Sequence, residues 1–329
     1  MAMIFQAFPG LLPFKTKPLP KRLEESLLFT PGFRLQKKWP HTAFILNAEV
    51  HRAVDVRITQ RESVRWKYTP DHVLGPGADV DPAEITFPGC TCVAGPCVPG
   101  TCSCLRGGEH YDGGGRLRDL GSDAKHARPV FECNVLCSCG ERCGNRVVQR
   151  GLQFPLQVFL TERKGWGLRA LERIPAGRFV CEYAGEVLGP SEARRRARAQ
   201  TARDPNYILA VREHVGAGPV METFVDPTHV GNAGRFLNHS CEPNLLMIPV
   251  RVDSMVPKLA LFAAKDILPG EELSYDYSGR FLNQVDGEDK EGPDDEKPRK
   301  PCYCGARSCG AFLPYDSSLF RTLGEPDRH

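Results

Sequence analysis

Twelve of the fourteen cysteines fall in groups whose spacing suits thiolate coordination of a metal. The first group reads Cys90-x-Cys92-x4-Cys97-x4-Cys102-x-Cys104, and after 28 residues comes Cys133-x3-Cys137-x-Cys139-x3-Cys143. Zinc takes four ligands in a tetrahedron. Nine cysteines cannot serve two isolated tetrahedral sites without one left over, but they satisfy three zinc ions if three thiolates bridge. A compact trinuclear cluster therefore uses every cysteine of the group. A disulfide module is the alternative; the odd total and the Cys-x-Cys pairs argue against it. All-cysteine coordination leaves no open position for water, so these zinc ions are expected to be structural. Cys302-x-Cys304-x4-Cys309 supplies three ligands, and Cys241 is the candidate fourth. Cys181 stands alone in an apolar run and reads as a buried, inert thiol.

These groups need elements to hold them, and the sequence divides accordingly. Residues 1–68 are proline-bearing and carry a net charge of +7, whereas the remainder of the chain carries −4. We read 1–68 as a basic, flexible extension. Residues 69–146 are rich in Gly, Pro and Cys and need metal staples rather than an apolar core. Gly107–Lys125 reads as a long loop between the two cysteine groups. Residues 147–281 form the main domain. Short β-type runs recur at Gln157–Leu160, Phe179–Tyr183, Tyr207–Val211, Phe224–Asp226, Leu245–Val252 and Lys258–Ala263. One clear helix is expected over Ser191–Arg203, with Ser191 as N-cap. Residues 282–300 form an acidic linker, 301–320 the second metal module and 321–329 a tail. The apolar start has no charged leader, so no secretory signal is expected. No apolar stretch approaches the roughly 18 residues of a membrane helix, and no membrane association is expected.

Charge bears on partners. Thirteen thiolates with four zinc ions would take the part after residue 68 to a net charge of about −9, a surface suited to a basic partner. The run Arg194-Arg195-Arg196-Ala197-Arg198 reads first as a solvated helix face; a nuclear-import or weak DNA-backbone contact is the lesser reading.

Gly234-Arg235-Phe236-Leu237-Asn238-His239-Ser240-Cys241, followed by Glu271-Glu272-Leu273-Ser274-Tyr275-Asp276-Tyr277, resembles the SET domain of protein lysine methyltransferases. Gly165-Trp166-Gly167 resembles that family's cofactor motif, and the two cysteine groups resemble its pre-SET and post-SET modules. Together they are similar to the suppressor-of-variegation class of histone H3 methyltransferases over about residues 69–320. The resemblance implies a mainly β chain with few helices: a SET-domain β-clip fold with a pseudoknot, flanked by zinc-cysteine pre-SET and post-SET modules.

It also implies roles. S-adenosyl-L-methionine would give its methyl group to a lysine of the histone H3 tail or nucleosome, in the nucleus and on the chromosome. Tyr277 matches the catalytic tyrosine, and Tyr275 the position that limits how many methyl groups fit; a tyrosine there implies mainly mono- and dimethylation. Tyr183 either lines the lysine channel or is a plain core residue. Asn238 and His239 match the cofactor-binding pair, with Gly165, Trp166, Gly167 and Tyr207 as further cofactor contacts. Arg235 either approaches the cofactor or pairs with an acidic neighbour, and Phe312 or Leu313 could close over the adenine. Neutralising a free lysine of pKa about 10.4 at pH about 7.4 costs roughly 4 kcal/mol, so an apolar channel beside a cationic sulfonium has work to do. A catalytically weak chromatin-binding scaffold is the alternative function, and a DNA-binding module a third.

Overall fold

The protein's structure is a computed structural model that describes residues 2–7, 44–46, 55–56, 66–93, 97–105, 107–118, 129–201, 204–215, 220–278, 300–316 and 319. The described elements are mostly strands. The part before the main domain holds β1 (Ala2–Ala7), β2 (Phe44–Leu46), β3 (Asp55–Val56), β4 (Trp66–Tyr68), β5 (Val73–Leu74) and β6 (Val130–Phe131). The main domain adds β7 (Leu156–Leu160), β8 (Trp166–Ala170), β9 (Phe179–Glu182), β10 (Gly185–Leu188), β11 (Leu209–Val215) and β12 (Val220–Gly231). It ends with β13 (Asn238–His239), β14 (Leu245–Arg251), β15 (Lys258–Ala263) and β16 (Glu272–Tyr275). Helix α1 spans Pro190–Ala199.

Three small sheets wrap one core. The first runs β1-β11-β12-β10-β5, with β4 and β3 off its side; the second β13-β16-β8-β7-β2; the third β6-β14-β15-β9. Segment 1–68, read from the sequence as an extension, contributes β1 to β4; the rest of it lies outside the described residues. Every residue of β14 is buried, as are five of six in β15, which explains why both are apolar apart from Arg251 and Lys258 at their ends. Leu156, Leu168, Val180, Leu209, Val225, Leu245, Leu259 and Leu273 close the centre around Tyr275. Among the described residues no helix is long and apolar enough to cross a membrane.

The helix departs from its expected boundaries. Gly189, not Ser191, occupies the N-cap, and Pro190 takes the first helical position, where its missing N–H costs nothing. A side chain at 189 would stand 2.0 Å from the Gly77 carbonyl oxygen, so close backbone contact sets the entry point. The helix ends at Ala199, with Gln200 already extended. Ala193 and Ala197 bury one face against Phe224, Leu188 and Leu319.

The arginine run is only partly a solvated face. Arg195 is exposed and held by Glu192. Arg196 turns inward and bonds Glu192, Glu186 and Asp226, each at 2.8 Å. Arg194 lies 3.8 Å from Glu222. Three of the four arginines of the run thus face carboxylates.

Arg251 and Glu213 join the first and third sheets. Arg251 is 0% exposed and forks onto the carboxylate at 2.8 and 2.6 Å, while its Nε donates to the Met255 carbonyl. Replacing Arg251 by Met would strand a buried carboxylate, so urea melts should show a loss of about 3–5 kcal/mol. Adding Glu213→Leu should recover much of it; equal stability of the single and double variants would refute this account.

Candidate active site

The site begins at the β7–β8 hairpin. The Thr161 amide and hydroxyl both donate to the Gly165 carbonyl, at 2.8 and 2.7 Å, and Thr161 Oγ1 accepts from the Lys164 amide. Gly165 closes this turn at φ +74°, a left-handed conformation that favours glycine, and a side chain there would meet open space. Trp166 follows, half-buried. Gly167 must be small for a different reason: a Cβ would lie 2.9 Å from Thr161 Cγ2 and 3.2 Å from Asn238 Nδ2.

A 3-10 turn over Ala233–Phe236 delivers the second part. Asn232 Oδ1 accepts from the amides of Gly234 and Ala184, at 3.0 and 3.2 Å, which seats the turn against β9. Arg235, expected either at the cofactor or beside an acid, donates to the carbonyls of Pro227 and Thr228 and stacks 4.6 Å over the Tyr207 ring. Asn238 and His239 then run parallel to β16, opposite Ser274 and Tyr275. Asn238 Nδ2 donates to the Trp166 carbonyl at 3.2 Å and to Glu272 Oε1 at 2.9 Å, and Glu272 Oε2 accepts from Lys164 Nζ at 2.6 Å. The His239 ring faces inward. Its Nδ1 accepts from the Tyr277 amide at 3.2 Å, and its Nε2 lies 3.3 Å from Cys241 Sγ.

Three tyrosines pack beside this crossing with their rings at 50° and 60° to one another. Tyr277 lies 4.9 Å from Tyr275, and Tyr275 lies 6.2 Å from Tyr183, centroid to centroid. The Tyr277 hydroxyl donates to the Leu237 carbonyl at 2.8 Å, and that of Tyr183 to the Tyr207 carbonyl at 2.6 Å. Burial pushes all three phenols well above their ordinary value, so each stays neutral through the physiological range. The geometry therefore brings Tyr183, Tyr275, Tyr277, Trp166, Asn238, His239, Tyr207 and Arg235 into one region. Phe312 is half-exposed. Glu272, Lys164 and Asn232 escaped the sequence reading; the only signal was Glu272's place in the Glu271–Tyr277 motif.

The nine clustered cysteines converge. Sγ separations are 3.9 Å for Cys90–Cys97, 3.7 Å for Cys97–Cys133, 3.6 Å for Cys104–Cys137 and 3.9 Å for Cys133–Cys143. Metal–sulfur bonds of about 2.3 Å put tetrahedral sulfurs about 3.8 Å apart, so the donor set fits zinc and is far too open for disulfides. Cys90 belongs to three overlapping groups of four, with Cys92, Cys97 and Cys102, with Cys97, Cys133 and Cys139, and with Cys102, Cys104 and Cys133. Cys241, Cys302, Cys304 and Cys309 form a separate group with all Sγ atoms within 4.8 Å of one another. Glu132 bolts the larger cluster to the main domain, accepting from the amides of Val147 and Val148 and the Tyr111 hydroxyl at 2.7–2.8 Å. On the smaller module, Ser308 donates to Glu242, and Arg163 of the β7–β8 turn lies 4.1 Å over the Tyr303 ring.

The sequence matches the SET domain family over residues 165–278 and the Pre-SET motif over residues 47–146. It is 74% identical over 261 residues to histone-lysine N-methyltransferase SETMAR of Rattus norvegicus, covering 79% of this chain and 83% of the relative. The crystal structure of the methyltransferase domain of human SETMAR aligns with a TM-score of 0.69 at 66% identity, over 79% of this chain and 93% of that one. The crystal structure of KRYPTONITE in complex with mCHH DNA, an H3(1-15) peptide and SAH aligns with a TM-score of 0.55 at 33% identity, over 76% of this chain and 48% of that one.

Leu105 and the cysteines are what the larger cluster buries at its centre, so little apolar core remains once metal is removed. Exhaustive chelation should make residues 66–118 protease-sensitive and abolish the cooperative thermal transition, and added zinc should restore both. A chelated protein as protease-resistant as the untreated one would refute this.

Proposed function

This chain belongs to the SET-domain histone-lysine N-methyltransferases, and from that premise we propose that it methylates a lysine of the histone H3 tail, mainly to the mono- and dimethyl states. The observation that carries the reading is the tyrosine cluster held against the Asn238–His239 crossing. The H3 peptide in the KRYPTONITE complex and the acidic balance of this chain after residue 68 support the choice of substrate.

The rim fits S-adenosyl-L-methionine in kind. An indole, a phenol, a carboxamide and open main chain at Gly165 suit a nucleoside with an amino-acid tail. Gly165, Trp166, Gly167, Tyr207, Arg235, Asn238 and the His239 main chain are the residues we assign to hold it. When bound, it supplies an electrophilic methyl group on a sulfonium. The protein's own contribution is to align and desolvate the amine. Tyr183, Tyr275 and Tyr277 form its aromatic walls, and the Tyr277 hydroxyl, anchored at the Leu237 carbonyl, orients the lone pair. With all three phenols neutral, none serves as a phenolate base, so the lysine reacts in its neutral form and its proton leaves to water. The Tyr275 hydroxyl occupies volume, or holds a water, that a third methyl group needs. Three zinc ions in the larger cluster, with three bridging thiolates, and one in the smaller account for all thirteen clustered cysteines. The setting is chromatin, in the nucleus. Any DNA contact through α1 is weak, because Glu192, Glu186 and Asp226 already hold its arginines.

Mass spectrometry of H3 tail peptides and nucleosomes, after incubation with the protein and S-adenosyl-L-methionine, tests the reading. Mono- and dimethyl products are expected, about 10²- to 10³-fold less with Tyr277→Phe. Tyr275→Phe should shift products toward trimethyl-lysine. Bound cofactor with no turnover on either substrate would favour the scaffold alternative.

The tyrosine shifts also set a pH profile. Burial raises these phenols above pH 10, so none is lost as acid or gained as base between pH 6 and 9. The value of kcat/KM should then climb about tenfold per pH unit with the neutral fraction of lysine. A plateau below pH 8 that moves in Tyr277→Phe would contradict the assignment.

A further inference from the structure

We propose that Glu272 is a positioning residue for the cofactor, acting through Asn238 rather than by touching the reacting atoms. This rests on the reading of the site as an S-adenosyl-L-methionine site. The argument is one of donors and acceptors. The two partners of the Asn238 carboxamide are the Trp166 carbonyl at 3.2 Å and Glu272 Oε1 at 2.9 Å. A carbonyl and an ionised carboxylate can only accept. Both hydrogens of Asn238 Nδ2 are therefore committed to these two acceptors, which leaves Oδ1 as the atom that can accept. Glu272 thus converts an amide that could point either way into a fixed acceptor for a donor group of the cofactor.

Two further contacts hold the device. Lys164 pairs with the second carboxylate oxygen at 2.6 Å, and with side chains only 20% and 26% exposed the pair fixes the Glu272 rotamer. Gly167 leaves the room, since a Cβ there would stand 3.2 Å from both Glu272 Oε1 and Asn238 Nδ2. Glu272 also lies in β16, paired to β8 through Arg169, so the same backbone that carries Tyr275 carries the orienting carboxylate.

The test is a double-mutant cycle in SAH affinity, measured by calorimetry on the zinc-loaded protein. Glu272→Ala should weaken binding about tenfold, the cost of one lost charge-assisted hydrogen bond. In an Asn238→Ala background the same change should do almost nothing, because its effect runs through the amide. Glu272→Gln keeps an acceptor and the side-chain shape, so it should restore most of the affinity and guards against misfolding of the alanine variant. In turnover, KM for S-adenosyl-L-methionine should rise while kcat changes less than threefold. Unchanged affinity in Glu272→Ala, or equal losses with and without Asn238, would overturn the proposal while leaving the methyltransferase reading intact. A parent protein that binds no SAH would overturn that reading, and this proposal with it.

Discussion

Everything in the candidate active site hangs on a parallel pairing only two residues long. Asn238 and His239 lie beside Ser274 and Tyr275, which sets the Asn238 side of the site against the tyrosines. So short a ladder cannot hold itself, since each hydrogen bond nets only about 1 kcal/mol. It is held by what surrounds it. The Ser240 amide donates to the Tyr275 carbonyl, and the Tyr277 amide to His239. Asn244 clamps the other side, donating to the Glu272 carbonyl and accepting from the Ser274 amide. The connection between the two strands is β14 and β15, whose buried sequences give the crossing its mass of apolar contact.

Elsewhere the fold uses charge and thiols where apolar residues are scarce. The larger cysteine cluster has Leu105 and its own sulfurs for a core. Glu132 then connects that cluster to the main domain through amides of the Val147–Val148 turn and through Tyr111. The carboxylate partners of Arg196 draw a basic helix onto the first sheet, and Arg251 with Glu213 spans two sheets in full burial. Such pairs cost desolvation, but their forked geometry specifies one docking angle.

How much of this was legible in the sequence differs by residue. Cysteine spacing announced both candidate metal modules because ligand count is local arithmetic, and the missing fourth ligand of the second pointed to Cys241, which the fold places beside Cys302, Cys304 and Cys309. Continuous apolar strands such as Lys258–Ala263 were legible end to end. The strands β10, β13 and β16 were not, because they are short, carry glycine or polar residues, and exist through partners distant in sequence, and β8 was masked by the glycine at its second position. Ser191 looked like a cap, yet the close approach of Gly77 to Gly189 decided where α1 begins. The Asn238 and Tyr277 motifs pointed to the right chemistry by resemblance. Nothing in the motifs showed that Lys164 and Glu272, separated by 108 positions, share an ion pair.

The crossing also imposes an order on biosynthesis. The Asn238 segment leaves the ribosome before the Glu272–Tyr277 segment that pairs with it, so β13 has no parallel partner until β16 follows. The site is complete only after residue 277 emerges, and Cys241 must wait longer still for Cys302, Cys304 and Cys309. Until then the thiol two residues from His239 lacks the three cysteines that stand beside it in the folded protein, so the ligand set is the last part of the site to close.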